Sequence, residues 1–252
     1  MEKVLDKTFK IIDVLLQSKG PKGVTELAEE LGLVKSNVHR LLNSLTELQL
    51  VRQVPGGEKY ELTLKLWQMG NMVLSKTDVR GIADSYMRTL CQLSHEDVFL
   101  SALEGSNILY IHKVKSAHVV RATFGSINPA YCSATGKAML AWSPMEKVDE
   151  CLKDAQPFTE LTICTKEEFL KELEHIRQCG YSINKGEWRL SVRGVAAPIF
   201  NHEGRCVAAI SISGPAHRLS LSRLEELAPM VCSSAAEISA CMGYQPTQVT
   251  VL

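Results

Sequence analysis

Between Val34 and Leu50 the chain reads VKSNVHRLLNSLTELQL, and no other stretch restricts the fold so tightly. Val38, Leu41, Leu42, Leu45 and Leu48 recur at steps of three and four residues, which draws one apolar stripe along a helix. The opposite side carries Ser36, Asn37, Arg40, Asn43 and Ser44, with His39 at its margin, and no acid occurs between Ser36 and Glu47. Such a rod must bury its leucine side against other elements. Its front of short polar and cationic side chains suits the major groove of a duplex. An ordinary surface helix has the same period, so the flanking sequence has to decide.

Upstream, Val4, Leu5, Ile11, Ile12, Leu15 and Leu16 mark a first helix that ends at Lys19-Gly20-Pro21. Thr25 is the expected N-cap of TELAEEL, with Leu27, Ala28 and Leu31 on its apolar face and Gly32 as a left-handed C-cap. Downstream, Leu50–Val54 reads as a strand, residues 55–59 (PGGEK) as a turn and Tyr60–Leu64 as a returning strand. Helix, Gly turn, polar-fronted helix and hairpin make a winged helix-turn-helix, a DNA-binding pattern that some proteins use only to bind protein. The expected DNA contacts are Thr25, Lys35, Ser36, Asn37, His39, Arg40, Asn43 and, at the wing, Lys59. Ser36 and Asn37 lie where a helix start offers free N–H groups to a phosphate or base edge, and Arg40 lies one turn further on.

Bulk charge does not assist. The 252 residues carry 28 Lys and Arg against 28 Asp and Glu, and residues 1–64 hold nine of each sign. Any affinity for DNA must come from local arrangement. The eight cysteines are never closer than nine residues and sit among aliphatic neighbours. They read as reduced, buried thiols of a cytoplasmic protein rather than a disulfide scaffold or zinc knuckle. No signal-peptide core or bilayer-spanning run is legible, so no membrane partner is expected.

LKLWQMGNMVLSK, followed by a helical run from Asp78, has more large apolar residues than one face needs. It reads as a connector that either packs within the chain or pairs with a second copy. Beyond it, strands are expected at Val98–Leu103, Ile108–His112, His118–Phe124, Val195–Phe200 and Cys206–Ser213. Helices are expected at Ala138–Trp142, Pro144–Leu152, Lys166–Cys179 and Leu221–Met242. Antiparallel hairpins with segregated helices make an α+β domain.

The chemistry of this second part is that of a binding site. Neither G-x-G-x-x-G, a P-loop nor HExxH occurs, so no cofactor, metal site or catalytic residue is assigned. The alternative is a metal or thiol sensor, or an enzyme, built on Cys132 with His112 or His118. In YCSATGKAMLAW a loop turns into a helix, where Ala134, Thr135 and Gly136 would offer backbone N–H groups to a carboxylate. Ser211 and Ser213 are two apart in the strand AISIS, so both hydroxyls face one side. They either help hold a small acid or satisfy neighbouring backbone.

KSNVHRLLNSL, EKYELTLKLWQMG, YCSATGKAMLAW, GVAAPIFNHEG and AISISGP occur in this order across essentially the whole chain. Together they resemble the IclR family of bacterial transcriptional regulators. The resemblance implies a winged helix-turn-helix over residues 1–64, a linker helix over 65–77 and a GAF-like, profilin-like α+β effector domain over 78–246. It also implies a homodimer or homotetramer on pseudo-palindromic promoter DNA, acting as repressor or activator under a small organic acid, either a sugar acid or an aromatic or aliphatic carboxylate. Family effector contacts fall on the amides of Ala134 and Thr135 and the hydroxyls of Ser211 and Ser213. Many members carry an Asp before a Glu pair after the Gly-Tyr turn, where GYSINKGEW has Asn184, Gly186 and Glu187. Many also carry a Cys where this chain has Gly194. These departures point away from glyoxylate or pyruvate. With Gly194 opening space and Phe124, Tyr131 and Trp188 as aromatic walls, a larger or aromatic acid is expected.

Overall fold

The structure is a computed structural model that describes residues 3–75, 79–116 and 127–245. The chain divides into two compact units between Thr77 and Asp78. In the first, α1 (Lys3–Gln17) is followed by a short strand β1 (Lys22–Gly23), α2 (Val24–Leu31), α3 (Lys35–Glu47) and a hairpin of β2 (Val51–Gln53) and β3 (Lys59–Leu62). Ile11, Ile12 and Leu15 of α1, Leu27 and Ala28 of α2, and Val38, Leu41, Leu42 and Leu45 of α3 close on Val51 and Tyr60 as one core. The leucine stripe is therefore buried as its period requires, except that Leu48 lies beyond the last turn and is exposed.

Two local expectations shift. Gly23, not Thr25, caps α2; the Glu26 carboxylate accepts the Gly23 N–H at 2.6 Å, and Thr25 stands exposed in the first turn. Gly23 is also held in β1, which adds a third strand to the wing in the order β1-β3-β2. Gly32 ends α2 with φ 63°, the left-handed turn expected of it. The hairpin continues into α4 (Lys65–Ser75), where Leu66 packs on the core while Trp67 and Met69 stand more than half exposed.

The second unit opens with α5 (Val79–Ser94) and the long hairpin β4 (Asp97–Glu104) and β5 (Asn107–Val114). Next come β6 (Ile127–Pro129), a 3-10 turn (Ala130–Cys132), α6 (Ala134–Leu140), α7 (Met145–Leu152), α8 (Lys166–Cys179) and β7 (Ser182–Asn184). The hairpin β8 (Val192–Phe200) and β9 (Cys206–Pro215) leads to α9 (Leu221–Cys241). The strands form one antiparallel sheet in the order β6-β5-β4-β9-β8-β7. The helix expected at Ala138–Trp142 starts earlier and ends at Leu140, because Ser133 caps it. The strand expected at His118–Phe124 lies outside the described residues.

Helices cover both faces of the sheet rather than gathering on one. α5 and α9 lie on the side of Val98, Leu100, Ile210 and Ile212, all fully buried. The other side meets α6 and the 3-10 turn. Paired residues on neighbouring strands point the same way, so the pairs Phe99 with Ser211, Asp97 with Ser213 and Ala196 with Ser211 assign that second side. A bulge in the β4–β5 ladder pairs Leu100 with His112 but Ser101 with Tyr110, leaving Ile111 as the extra residue.

Candidate DNA-reading helix and effector face

α3 has no acid in its first turn, and its one acid is Glu47, the last residue of the helix. At 100° per residue, Lys35, Ser36, His39, Arg40 and Asn43 fall within an arc of about 140°, opposite the buried leucines. All five are exposed, and Asn37 sits half-buried on the far edge of that arc. Asn43 Nδ2 lies 3.4 Å from His39 Nδ1, so these two can act as one polar unit. Val34 caps the helix without a side-chain hydrogen bond; the Asn37 N–H turns back to Val34 O at 2.9 Å, which leaves the amides of Lys35 and Ser36 to solvent or an anion. Lys59 is drawn toward α2 by Glu26 at 3.2 Å, on the exposed surface. The Gly23 N–H, with Lys59 second, holds the Glu26 carboxyl below its ordinary range.

The second site lies on the inner face of the large sheet. Ser133 Oγ accepts the Gly136 N–H at 3.0 Å and so nucleates α6. Gly136 is therefore not the free donor expected of it. A Cβ there would lie 2.1 Å from the Ala130 carbonyl oxygen, so the turn also excludes any side chain. Ala134 and Thr135, the first two residues of the helix, keep amides with no carbonyl one turn back within it. Across the sheet, the Ser213 hydroxyl donates to Arg193 O at 3.2 Å, whereas the Ser211 hydroxyl, nearly buried, has no partner among the described residues.

Beneath α6 runs a charged brace. Lys137 is fully buried, and its Nζ donates to Glu172 at 2.7 Å, Glu187 at 2.7 Å and Ile183 O at 2.9 Å. Burial alone would raise the Glu172 carboxyl, but Lys137 overrides it and holds the group below the ordinary 4.5. Glu187 also accepts the Lys185 N–H, and so is engaged rather than presented. Asn184 Oδ1 accepts the N–H groups of Gly186 and Glu187, and its Nδ2 reaches Cys132 O at 3.3 Å. Thus the expected Asn184 and Glu187 shape the loop beside α6.

The aromatic residues divide. Tyr131 is buried, stacks near Phe158 and exchanges two 2.8 Å hydrogen bonds with the Gln156 backbone, so its hydroxyl is spent on the fold. Trp188 is half-buried on the same core, with the Arg189 guanidinium 4.3 Å from its ring centre. Phe124 lies outside the described residues. Gly194 does not open space: a Cβ there would come 2.7 Å from the Ile212 carbonyl oxygen, because β8 and β9 close on it.

Sequence reasoning missed the polar inner row. Lys113 and Asp97 pair at 2.7 Å with both side chains nearly buried, and Lys113 Nζ stands 4.6 Å from the Phe99 ring centre. Tyr110 lies 5.0 Å from Phe99 and accepts from Asn128 Nδ2 at 3.3 Å. The signal was available in DVFLSALE, where Asp97 and Ser101 alternate with apolar residues on the same side as Phe99. A separate cleft of about 450 Å³, lined by Trp142, Phe200, Tyr244, Cys179 and Cys232, is largely apolar and lacks such a convergence of polar groups.

Among the described residues Cys132 does not form the alternative thiol site, and His118 lies outside them. Burial pushes the Cys132 thiol up to about 12, and His112 pairs with Asp84 at 2.7 Å instead. A neutral, buried thiol is a poor nucleophile or metal ligand.

Comparison with known proteins agrees with this geometry. Residues 4–55 match the model of the IclR helix-turn-helix domain, and residues 71–240 match that of the bacterial transcriptional regulator IclR C-terminal region. The chain belongs to the IclR family of bacterial transcriptional regulators. It is 36% identical to the HTH-type transcriptional regulator KdgR of Escherichia coli (strain K12), over 97% of this chain and 96% of that protein. The crystal structure of Thermotoga maritima IclR superposes with a TM-score of 0.82 at 31% identity, covering 97% of this chain and all of the other. An IclR homolog from Microbacterium hydrocarbonoxydans, crystallised with 4-hydroxybenzoate, shares the fold with a TM-score of 0.81 at 20% identity, covering 95% and 99% of the two chains. As in the rest of the IclR family, the N-terminal unit is a DNA-binding module and the C-terminal unit an effector-binding one; its relatives are named regulators, not enzymes.

Proposed function

We propose that this IclR-family chain binds pseudo-palindromic promoter DNA as a homodimer or a pair of dimers, and that a small organic acid on the inner sheet face controls its occupancy. The observation that carries the reading is the contrast on α3. Its leucine side is closed into a core, and its polar arc is left exposed, with no acid along it before Glu47 at the last residue. Lys35, Ser36, His39, Arg40 and Asn43 supply base-edge and phosphate contacts, with Asn37 and Thr25 at the margins and Lys59 at the wing. A homodimer is supported by the large apolar side chains on α4, Trp67 and Met69, which one chain leaves uncovered.

The acid is held by the Ala134 and Thr135 amides and by the Ser211 hydroxyl, with Ser213 and the Asn184–Glu187 loop shaping the margin. Effector binding acts by population shift: it favours one placement of the two recognition helices and so one half-site spacing. A coupling of about 1–3 kcal/mol changes occupancy severalfold or more.

A mobility-shift titration on the chain's own upstream region, with and without candidate acids, tests the reading. The expected result is a sequence-specific shift that weakens steeply with salt and changes with one acid. The absence of any specific shift would overturn it. A thermal-shift screen of hydroxy, keto, sugar and aromatic acids, 4-hydroxybenzoate included, identifies the class, because a true effector raises the unfolding temperature.

A further inference from the structure

Among the described residues, two side-chain atoms wholly closed to solvent have no hydrogen-bond partner: Ser101 Oγ and Asn128 Oδ1. Ser101 is 0% and Asn128 5% exposed. Buried polar groups are almost always paired, so two orphans in one region call for an occupant. Both lie on the inner face. Ser101 pairs directly with Tyr110, and Asn128 pairs with Ile108, two residues along β5 from Tyr110 and on the same side. Asn128 Nδ2 reaches the Tyr110 hydroxyl at 3.3 Å, which leaves that hydroxyl its own proton to donate. Ser211 lies one step back along the sheet, beside Phe99, which in turn contacts Tyr110. Ser101 and Phe99 are two residues apart in β4, a rise of about 7 Å.

We propose that Ser101, Tyr110 and Asn128 form a hydroxyl-reading subsite at the inner end of the effector face. Its ligand is then a straight-chain polyhydroxylated carboxylate, with the acid group toward Ser211 and the start of α6. This rests on the acid-binding reading above. The chemistry selects an alcohol over the alternatives. Asn128 Oδ1 only accepts, and Ser101 Oγ–H can donate; they stand on β6 and β4 with β5 between, so two hydroxyls of one ligand answer them, one donating to the first and the other accepting from the second. A carboxylate oxygen would face the Asn128 carbonyl lone pairs. Methylenes in their place would leave both atoms unpaired, which is why a site built for hydroxyls rejects the deoxy analogue strongly.

Isothermal calorimetry on the full chain separates the possibilities with three probes: D-gluconate, hexanoate and the neutral polyol sorbitol. The variants are Ser101→Ala and Asn128→Leu. Ser101→Ala deletes an unpaired hydroxyl, so it should fold at least as well as the parent. The expected result is gluconate binding about tenfold or more tighter than hexanoate, with that preference lost in both variants and hexanoate affinity unchanged. Sorbitol binding that disappears in Ser101→Ala, with neither acid bound, would keep the subsite and overturn the acid-binding reading instead. Equal affinity for the two acids in the parent would overturn the subsite and leave that reading standing. A preference that survives both variants would also overturn it, since the orphans then hold only structural water. Failure of all three probes would overturn both proposals.

Discussion

The two functional surfaces use polar side chains in opposite ways. On α3, Lys35, Ser36, His39, Arg40 and Asn43 stand exposed and contribute little to holding the first unit together. On the inner face of the sheet, Lys137, Glu187, Asn184 and Tyr131 are locked into the fold by their own hydrogen bonds. A surface that reads a long external polymer can keep its donors in water until contact. A buried cavity cannot, because every unpaired group there is costly. The lesson is that a substitution on the first surface should alter binding without altering folding, while most substitutions around the second should do both.

Four measurements can break or sharpen that contrast. The largest effect belongs to Lys137→Met, which strands the Glu172 and Glu187 carboxylates without their cation. A loss of about 3–5 kcal/mol of stability is expected, read from urea unfolding of the second unit's transition; a loss under half that would mean the brace is dispensable. Next, Arg40→Ala should weaken specific DNA binding by about 1–3 kcal/mol in an anisotropy titration and leave the unfolding midpoint where it was. A shifted midpoint would place Arg40 among the structural residues and erase the contrast.

A smaller effect concerns acid. Glu172 has a folded pKa held below its ordinary 4.5, so its contribution is present at neutral pH and is lost as pH falls below that value. Glu172→Gln should therefore lower stability at pH 7 and flatten its decline below pH 4.5, as followed by unfolding at stepped pH. The smallest effect is kinetic. Burial raises Cys132 and Cys206 to about 12 and Cys151 to about 11, while Cys241 is exposed. Thiol titration at pH 8 should show fast labelling at Cys241 and only slow labelling at those three until the chain is unfolded.

The same contrast explains what could be read from the chain. α8 was legible to the residue, Lys166–Cys179, because Thr165 caps its start and Gly180 ends it in a left-handed turn. The stripe of α3 was legible because its period is that of its burial. β1 was not, since two residues carry no period and pair only through the distant Lys59 and Tyr60. Lys137 was passed over because a lone lysine reads as solvated until Glu172 and Glu187, 35 and 50 residues away, are brought to it. Gly194 misled for a related reason: an absent side chain suggests room, but backbone from a neighbouring strand had filled it.

The extra residue at Ile111 has a consequence for how this hairpin can change. It lets Tyr110, rather than its neighbour, stand opposite Ser101. Deleting Ile111 would close the bulge and leave that pairing standing, because Leu100 with His112 and Ser101 with Tyr110 would become consecutive pairs of a plain ladder. The hairpin can thus shorten by one residue at this point without turning Tyr110 or Ile108 away from the inner face, so the kink can vanish while the side chains it delivers stay in place.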